Sequence, residues 1–232
     1  MRGLPIRRPE NLGRFAALLG TLLATLLVAP FLEQTIAGVS RFRVLTVGIL
    51  LAGLYALSRD LRILAVGLAI ALPALAIESW LEFRPDAGLV IASFALSMLF
   101  VAFLASVILY GILDEERVTL DTILGGVCVY LLIGVGWMMA YALLEYLAPA
   151  SFLVDGLPLP PAAEADEFRH EELMYFSFVT LTTVGYGDVL AKTSPARALA
   201  AAEAVTGSLY LAVFVARLVG LHMVHQRRDL DL

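Results

Sequence analysis

The sequence predicts an all-α membrane protein with six transmembrane helices and a re-entrant half-helix between the fifth and sixth. Three observations predict it. Of the 232 residues, 60% are hydrophobic, and mean hydropathy is +0.88. A water-soluble domain of this length with that composition would have a mostly apolar surface. The apolar residues also come in blocks of about twenty, the length that crosses a bilayer as a helix. Finally, one polar stretch, TLTTVGYGDV from Thr180 to Val189, separates the last two long apolar segments. In lipid the backbone must satisfy its own hydrogen bonds, so the spans are expected as helices.

The first span is read as Phe15 to Leu32, with Pro30 near its end. Arg2, Arg7, Arg8 and Arg14 precede it in the manner of a signal peptide, but no small-residue cleavage site follows, so it is expected as a retained helix. The second and third spans, Val44 to Ser58 and Ile63 to Ile77, form a tight hairpin, with Pro73 expected to kink the third. The fourth, Gly88 to Leu113, is the longest and is expected to tilt or extend into water. Ile123 to Leu147 and Ala196 to His222 complete the set.

The distribution of arginine sets the orientation. With the N-terminus inside, Arg59, Arg62, Arg117, Arg227 and Arg228 join the N-terminal arginines on the cytoplasmic side. Arg41, Arg43, Arg84, Arg169, Lys192 and Arg197 then lie outside, together with Glu78, Glu82, Asp86, Asp155, Glu164, Asp166, Glu167, Glu171, Glu172 and Asp188. An acidic outer surface would attract cations, or it would simply keep the loops soluble.

Between the fifth and sixth spans, ASFLVDGLPLPPAAEAD reads as a Pro-rich loop. EFRHEELMYFSFVTLTT then reads as a short re-entrant half-helix, apolar and aromatic for about three turns, with acids at its start where they suit the helix dipole. It is too short to span. Non-helical backbone at membrane depth is tolerated only where it is buried in protein or lines a water path. The polar stretch that follows is therefore expected to line such a path.

Within it, Thr183-Val184-Gly185-Tyr186-Gly187, followed by Asp188, resembles the selectivity-filter signature of the potassium-channel family. A chance match to five specified residues in a chain of this length is roughly one in ten thousand. The resemblance implies that K+ sheds water onto the backbone carbonyls of Thr183, Val184, Gly185 and Tyr186. Gly185 and Gly187 can take the left-handed conformation that aims successive carbonyls at one axis. Thr182, Val184 and Tyr186 would pack the strand against the half-helix. One chain supplies one carbonyl per level, so the resemblance implies a homotetramer in a lipid bilayer. K+ is the permeant ion, no cofactor is expected, and the chain is not expected to be an enzyme.

Gly207 lies where family members often carry a hinge glycine. Its other reading is close packing against a neighbouring helix. Ser208, Leu211, Val215, Val219 and Met223 form one stripe at helical spacing and are expected to line the pore. Tyr175 stands where many members have tryptophan and is positioned to donate to Asp188. Val179 replaces a glutamate found in some members, which implies altered slow inactivation. Glu203 is an intramembrane carboxyl, expected to bond the half-helix or a neighbouring chain and to support the filter. Glu145 is expected at the outer interface.

The likeness covers Val118 to about His222. Residues 118–222 are read as the pore domain, 1–117 as a four-helix transmembrane domain and 223–232 as a short cytoplasmic tail. The fourth span lacks the basic residues of a voltage sensor, so weak or no voltage dependence is expected. The first four helices are either a lipid-facing scaffold or a sensor of lipid, ligand or tension. Arg217 either pairs with acids of the linker DEERVTLD or snorkels to the interface. His170, His222 and His225 are expected as solvated helix-end residues. The single Cys128 is a packing residue, which leaves the compartment unspecified. No phosphate loop, metal-ligand cluster or nucleic-acid patch is present in the sequence. The reading is a potassium channel of the bacterial inner membrane, with both termini cytoplasmic. The alternatives are a subunit of a potassium uptake transporter, or a non-conducting channel-like receptor.

Overall fold

The computed structural model describes residues 12–28, 35–36, 39–57, 60–81, 83–84, 86–115, 118–160 and 162–230. Arg2, Arg7, Arg8, Pro30, Arg59 and Arg117 lie outside them. So do the side chains of Arg14, Arg41, Arg43, Glu164, Asp166, Glu167, His222, His225, Arg227 and Arg228.

The chain is helical nearly throughout. Helix α1, Leu12–Leu23, runs into a π-helical stretch, Ala24–Val28. Thr21 and Thr25 donate to the carbonyls one turn back, which satisfies their hydroxyls inside an apolar helix. A two-stranded pairing, β1 (Thr35–Ile36) with β2 (Val39–Ser40), leads into α2, Arg41–Leu57. Helix α3, Leu61–Leu81, runs through Pro73 without a break. Helix α4, Ala87–Asp114, starts on Asp86, whose carboxylate accepts from the Leu89 N–H. Helix α5, Leu120–Leu147, starts on a capping box of Thr119 and Thr122.

Among the described residues, four helices are long and apolar enough to cross a membrane: α3, α4, α5 and the Ser194–Leu221 part of α7 (Ser194–Leu230). The first two expected spans appear as shorter apolar helices, Phe15–Leu27 and Thr46–Leu57. Helix α5 is the hub. It packs against α1, α4, α7 and α6 (Ala162–Leu181). Its buried residues reach all round the helix, as expected when neighbours enclose it.

The expected loop after α5 is a β-hairpin. Strands β3 (Phe152–Val154) and β4 (Leu157–Pro158) turn through Asp155 and Gly156, both at positive φ (50° and 80°). Asp-Gly in that conformation is the favoured two-residue hairpin turn. The sheet order is β4-β3-β5, where β5 (Val189–Ala191) follows the polar stretch directly. Helix α6, Ala162–Leu181, has 20 residues, because the charged segment before the apolar turns is helical too. Helix α7, Ser194–Leu230, continues through the segment read as a tail.

Glu145 is not interfacial but 2% exposed. Its carboxylate accepts from the backbone N–H of Ala150 (2.7 Å), Ser151 (2.9 Å) and Phe152 (3.1 Å). It thus closes the end of α5 onto the start of β3, at a turn where Ala150 takes φ 64°. Phe152 then locks with Tyr141 and Phe176 in a triangle of edge-to-face rings, with centroids 5.2–5.3 Å apart. That triangle joins α5, β3 and α6.

Glu145→Ala should lower stability by about 3 kcal/mol or more, since charge-assisted bonds contribute about 1.5–3 kcal/mol each and buried donors would be left unpaired. Thermal unfolding in detergent reads this; an unchanged midpoint would refute it.

Candidate functional site

The polar stretch begins as the cap of α6. The Val184 N–H donates to the Val179 carbonyl at 3.0 Å, and the Thr183 N–H to the Thr180 carbonyl at 2.9 Å. With Thr183 at φ 59°, this is a Schellman motif, whose left-handed position usually holds glycine. Thr182 closes the last turn, its hydroxyl donating to the Phe178 carbonyl at 2.6 Å.

Beyond the cap, left-handed residues alternate. Thr183, Gly185 and Gly187 have φ 59°, 59° and 83°. The alternation was expected at the glycines; Thr183 adds a third position, at a steric cost that glycine avoids. Thr182 to Asp188 are all exposed in the single chain. Val184 (53% exposed) and Tyr186 (72%) are exposed in the single chain.

The far end of the loop is tied down. Tyr175 donates its hydroxyl to Asp188 Oδ2 at 2.6 Å, and the Val189 N–H donates to Oδ1 at 2.9 Å. The Tyr175 bond, above all, holds the Asp188 carboxyl below its usual range. The Asp155 N–H donates to the Asp188 carbonyl at 3.0 Å, so the hairpin turn grips the loop where it enters β5.

Behind the loop, Glu203 of α7 is completely buried. Tyr141 of α5 donates to its Oε2. Ser177 of α6 has its hydroxyl oxygen 2.5 Å from Glu203 Oε1 and 2.8 Å from the Gly134 carbonyl. One carboxyl group therefore joins the half-helix to both long helices beside it. Nearer the half-helix end, the Leu181 carbonyl accepts from the Tyr130 hydroxyl at 3.3 Å. A Cβ on Gly207 would sit 2.4 Å from that carbonyl oxygen, so glycine is required there for close approach.

On α7, Ser208, Leu211, Val215, Val219 and Met223 are all exposed in the single chain. Glu203, Gly207, Tyr210, Phe214 and Arg217 turn inward at i+3/i+4 spacing, on roughly the opposite face. Tyr210 donates to the Gly126 carbonyl at 2.7 Å. The Phe214 ring fills the place a Cβ on Gly126 would take.

His170 is buried rather than solvated, and stacks on Phe94 of α4 with centroids 6.3 Å apart. Tyr141, Ser177 and Tyr130 were not singled out in the sequence. Nothing in their local pattern marks them, because their partners lie 26 to 62 residues away. The hairpin did carry a signal, Asp155-Gly156 between apolar residues.

The family described as Ion channel matches residues 141–222, from Tyr141 of the Glu203 network through the inward stripe of α7. Protein LctB of Bacillus caldotenax is 36% identical over 105 residues, which is 45% of this chain and 75% of that protein. No solved structure matches the chain.

Replacing Glu203 by Gln should cost little stability, since an amide accepts from Tyr141 and donates to Ser177. Glu203→Leu should cost about 1–3 kcal/mol by leaving the Tyr141 hydroxyl unpaired. Equal unfolding temperatures for the two variants would contradict the network. Asp188's depressed carboxyl predicts a pH effect with a definite sign. The Tyr175 bond stabilises above the ordinary aspartate range and is lost as pH falls through the lowered pKa. Stability curves of wild type and Tyr175→Phe should therefore differ near neutrality and converge in acid; parallel curves would refute this.

Proposed function

This chain belongs to the ion-channel family, and we propose that it is a potassium-selective channel built from four identical subunits. The observation that carries the proposal is the alternation of left-handed residues at Thr183, Gly185 and Gly187, directly after the half-helix cap. Such alternation turns successive carbonyls to one side of a strand. The carbonyls of Thr183, Val184, Gly185 and Tyr186 then replace the water that K+ sheds.

Assembly into a ring is supported by what one chain leaves uncovered. Val184 and Tyr186 need neighbours to pack on, and one strand gives only a quarter of each ion cage. The apolar, exposed side of α7 faces the axis in this reading, with Ser208, Leu211, Val215, Val219 and Met223 along the water path below the filter. Each subunit then crosses the membrane six times, with α1 and α2 as the shorter crossings and α6 re-entrant. Both termini lie in the cytoplasm and the membrane is the bacterial inner membrane. Helix α4 carries no basic residue. A charge moved through the field contributes about 2.3 kcal/mol per 100 mV, so the pore responds little to voltage.

Planar-bilayer recording of the purified protein tests this. In a K+/Na+ gradient the reversal potential should follow K+, and the conductance–voltage relation should lack steep gating. Gly185→Ala places a Cβ in a left-handed residue, at about 1–2 kcal/mol per subunit, and should abolish selectivity or conduction. Equal permeability to Na+ in the wild type would overturn the proposal.

A further inference from the structure

Helix α4 ends badly by its own sequence. Its last turn holds no basic residue, and Asp114 and Glu115 add negative charge at the negative end of the helix dipole. Its final carbonyls also have no partner within the helix. The missing cation comes from α7. Arg217 Nη2 donates to the carbonyls of Ile112 (3.3 Å), Leu113 and Glu115 (3.2 Å), about a hundred residues earlier in the chain. The guanidinium thus supplies the cap and the counter-charge together. Among the described residues its hydrogen bonds go to backbone carbonyls. It is not snorkelling freely, since its Nε is buried without a hydrogen-bond partner.

The capped end is also tied to the start of α5. Glu115 leaves the helix in an extended conformation (φ −74°, ψ 128°). Its Oε2 accepts from the Thr122 hydroxyl at 3.3 Å, and Thr122 belongs to the capping box that starts α5. The end of α4 and the start of α5 therefore form one tied elbow, and Arg217 fastens α7 to it. Arg217 also lies on the inward stripe that begins at Glu203 and that Leu221, half-buried one turn on, continues. The upper part of α7 is held against the half-helix at Gly207, ten residues before Arg217, or about 15 Å along the helix.

We infer that Arg217 is the coupling residue through which the first four helices set the position of the lower half of α7, and hence the width of the pore's inner end. This rests on the channel reading above. A shift of α4 relative to α5 and α7 must either carry Arg217 with it or strip the cap. Four such latches would act on one ring of α7 helices.

The test uses full-length protein in bilayers and two readouts. Hydrogen–deuterium exchange of the last turn of α4 reports the cap; single-channel open probability in symmetric K+ reports the coupling. Arg217→Gln, which removes the charge, should speed exchange in that turn several-fold and change open probability several-fold, with K+ selectivity intact. Arg217→Lys keeps the charge without the fork and should fall between, and it serves if the Gln variant does not assemble. Unchanged exchange would overturn the cap. Faster exchange with unchanged open probability would leave a structural strut and overturn the coupling. Wild-type protein that passes no current, yet shows the exchange effect, would instead sink the channel reading and the coupling with it.

Discussion

One buried carboxyl group ties α6 to the long helices on either side of it in sequence. Glu203 lies among apolar side chains, where an unpaired carboxyl would be costly. It is tolerated because Tyr141 and Ser177 reach it from two different helices. The same need that satisfies the acid fixes three helices against one another. Ser177 also faces the Gly134 carbonyl, and its single hydroxyl proton can serve only one of its two neighbours at a time. The half-helix is thus positioned by a compact polar knot rather than by apolar contact alone, which tolerates sliding.

From that anchor the loop's shape follows. The helix end spends the Val179 and Thr180 carbonyls on its own cap, which forces Thr183 left-handed and sends the chain back along the helix. The Leu181 carbonyl goes to Tyr130 and lies hard against Gly207. At the other end, Tyr175, the hairpin turn and β5 grip Asp188 and Val189. The loop is fixed at both ends and bare in the middle. Its own chain leaves it uncovered, which is the physical case for neighbours around a shared axis.

A recurring solution runs through the molecule: a charged side chain satisfies backbone groups far from it in sequence or fold. Glu145 takes up three N–H groups of the turn after α5. Arg217 takes up three carbonyls at the end of α4. Buried backbone groups left without such partners would be costly. Each such bond also ties together elements that would otherwise touch only through apolar side chains.

By itself the sequence determined the class, because hydrophobicity and block length are local sums that no tertiary contact alters. It also determined the special backbone at Gly185 and Gly187, since left-handed conformation is a property of a residue without a Cβ. The Tyr175–Asp188 contact was legible too, because helix and loop meet there over a short sequence distance. The tertiary structure decided the rest. Glu145 and His170 look like interfacial, solvated residues in sequence, and only the fold shows them enclosed. Thr183 carries no glycine signal, yet the cap geometry drives it left-handed. Arg217 reads in sequence as pairing with the linker's acids or snorkelling, yet among the described residues its hydrogen bonds go to carbonyls at the end of α4. Burial and partnership at those positions depend on which helices come together across long stretches of chain, and that is information no local pattern holds.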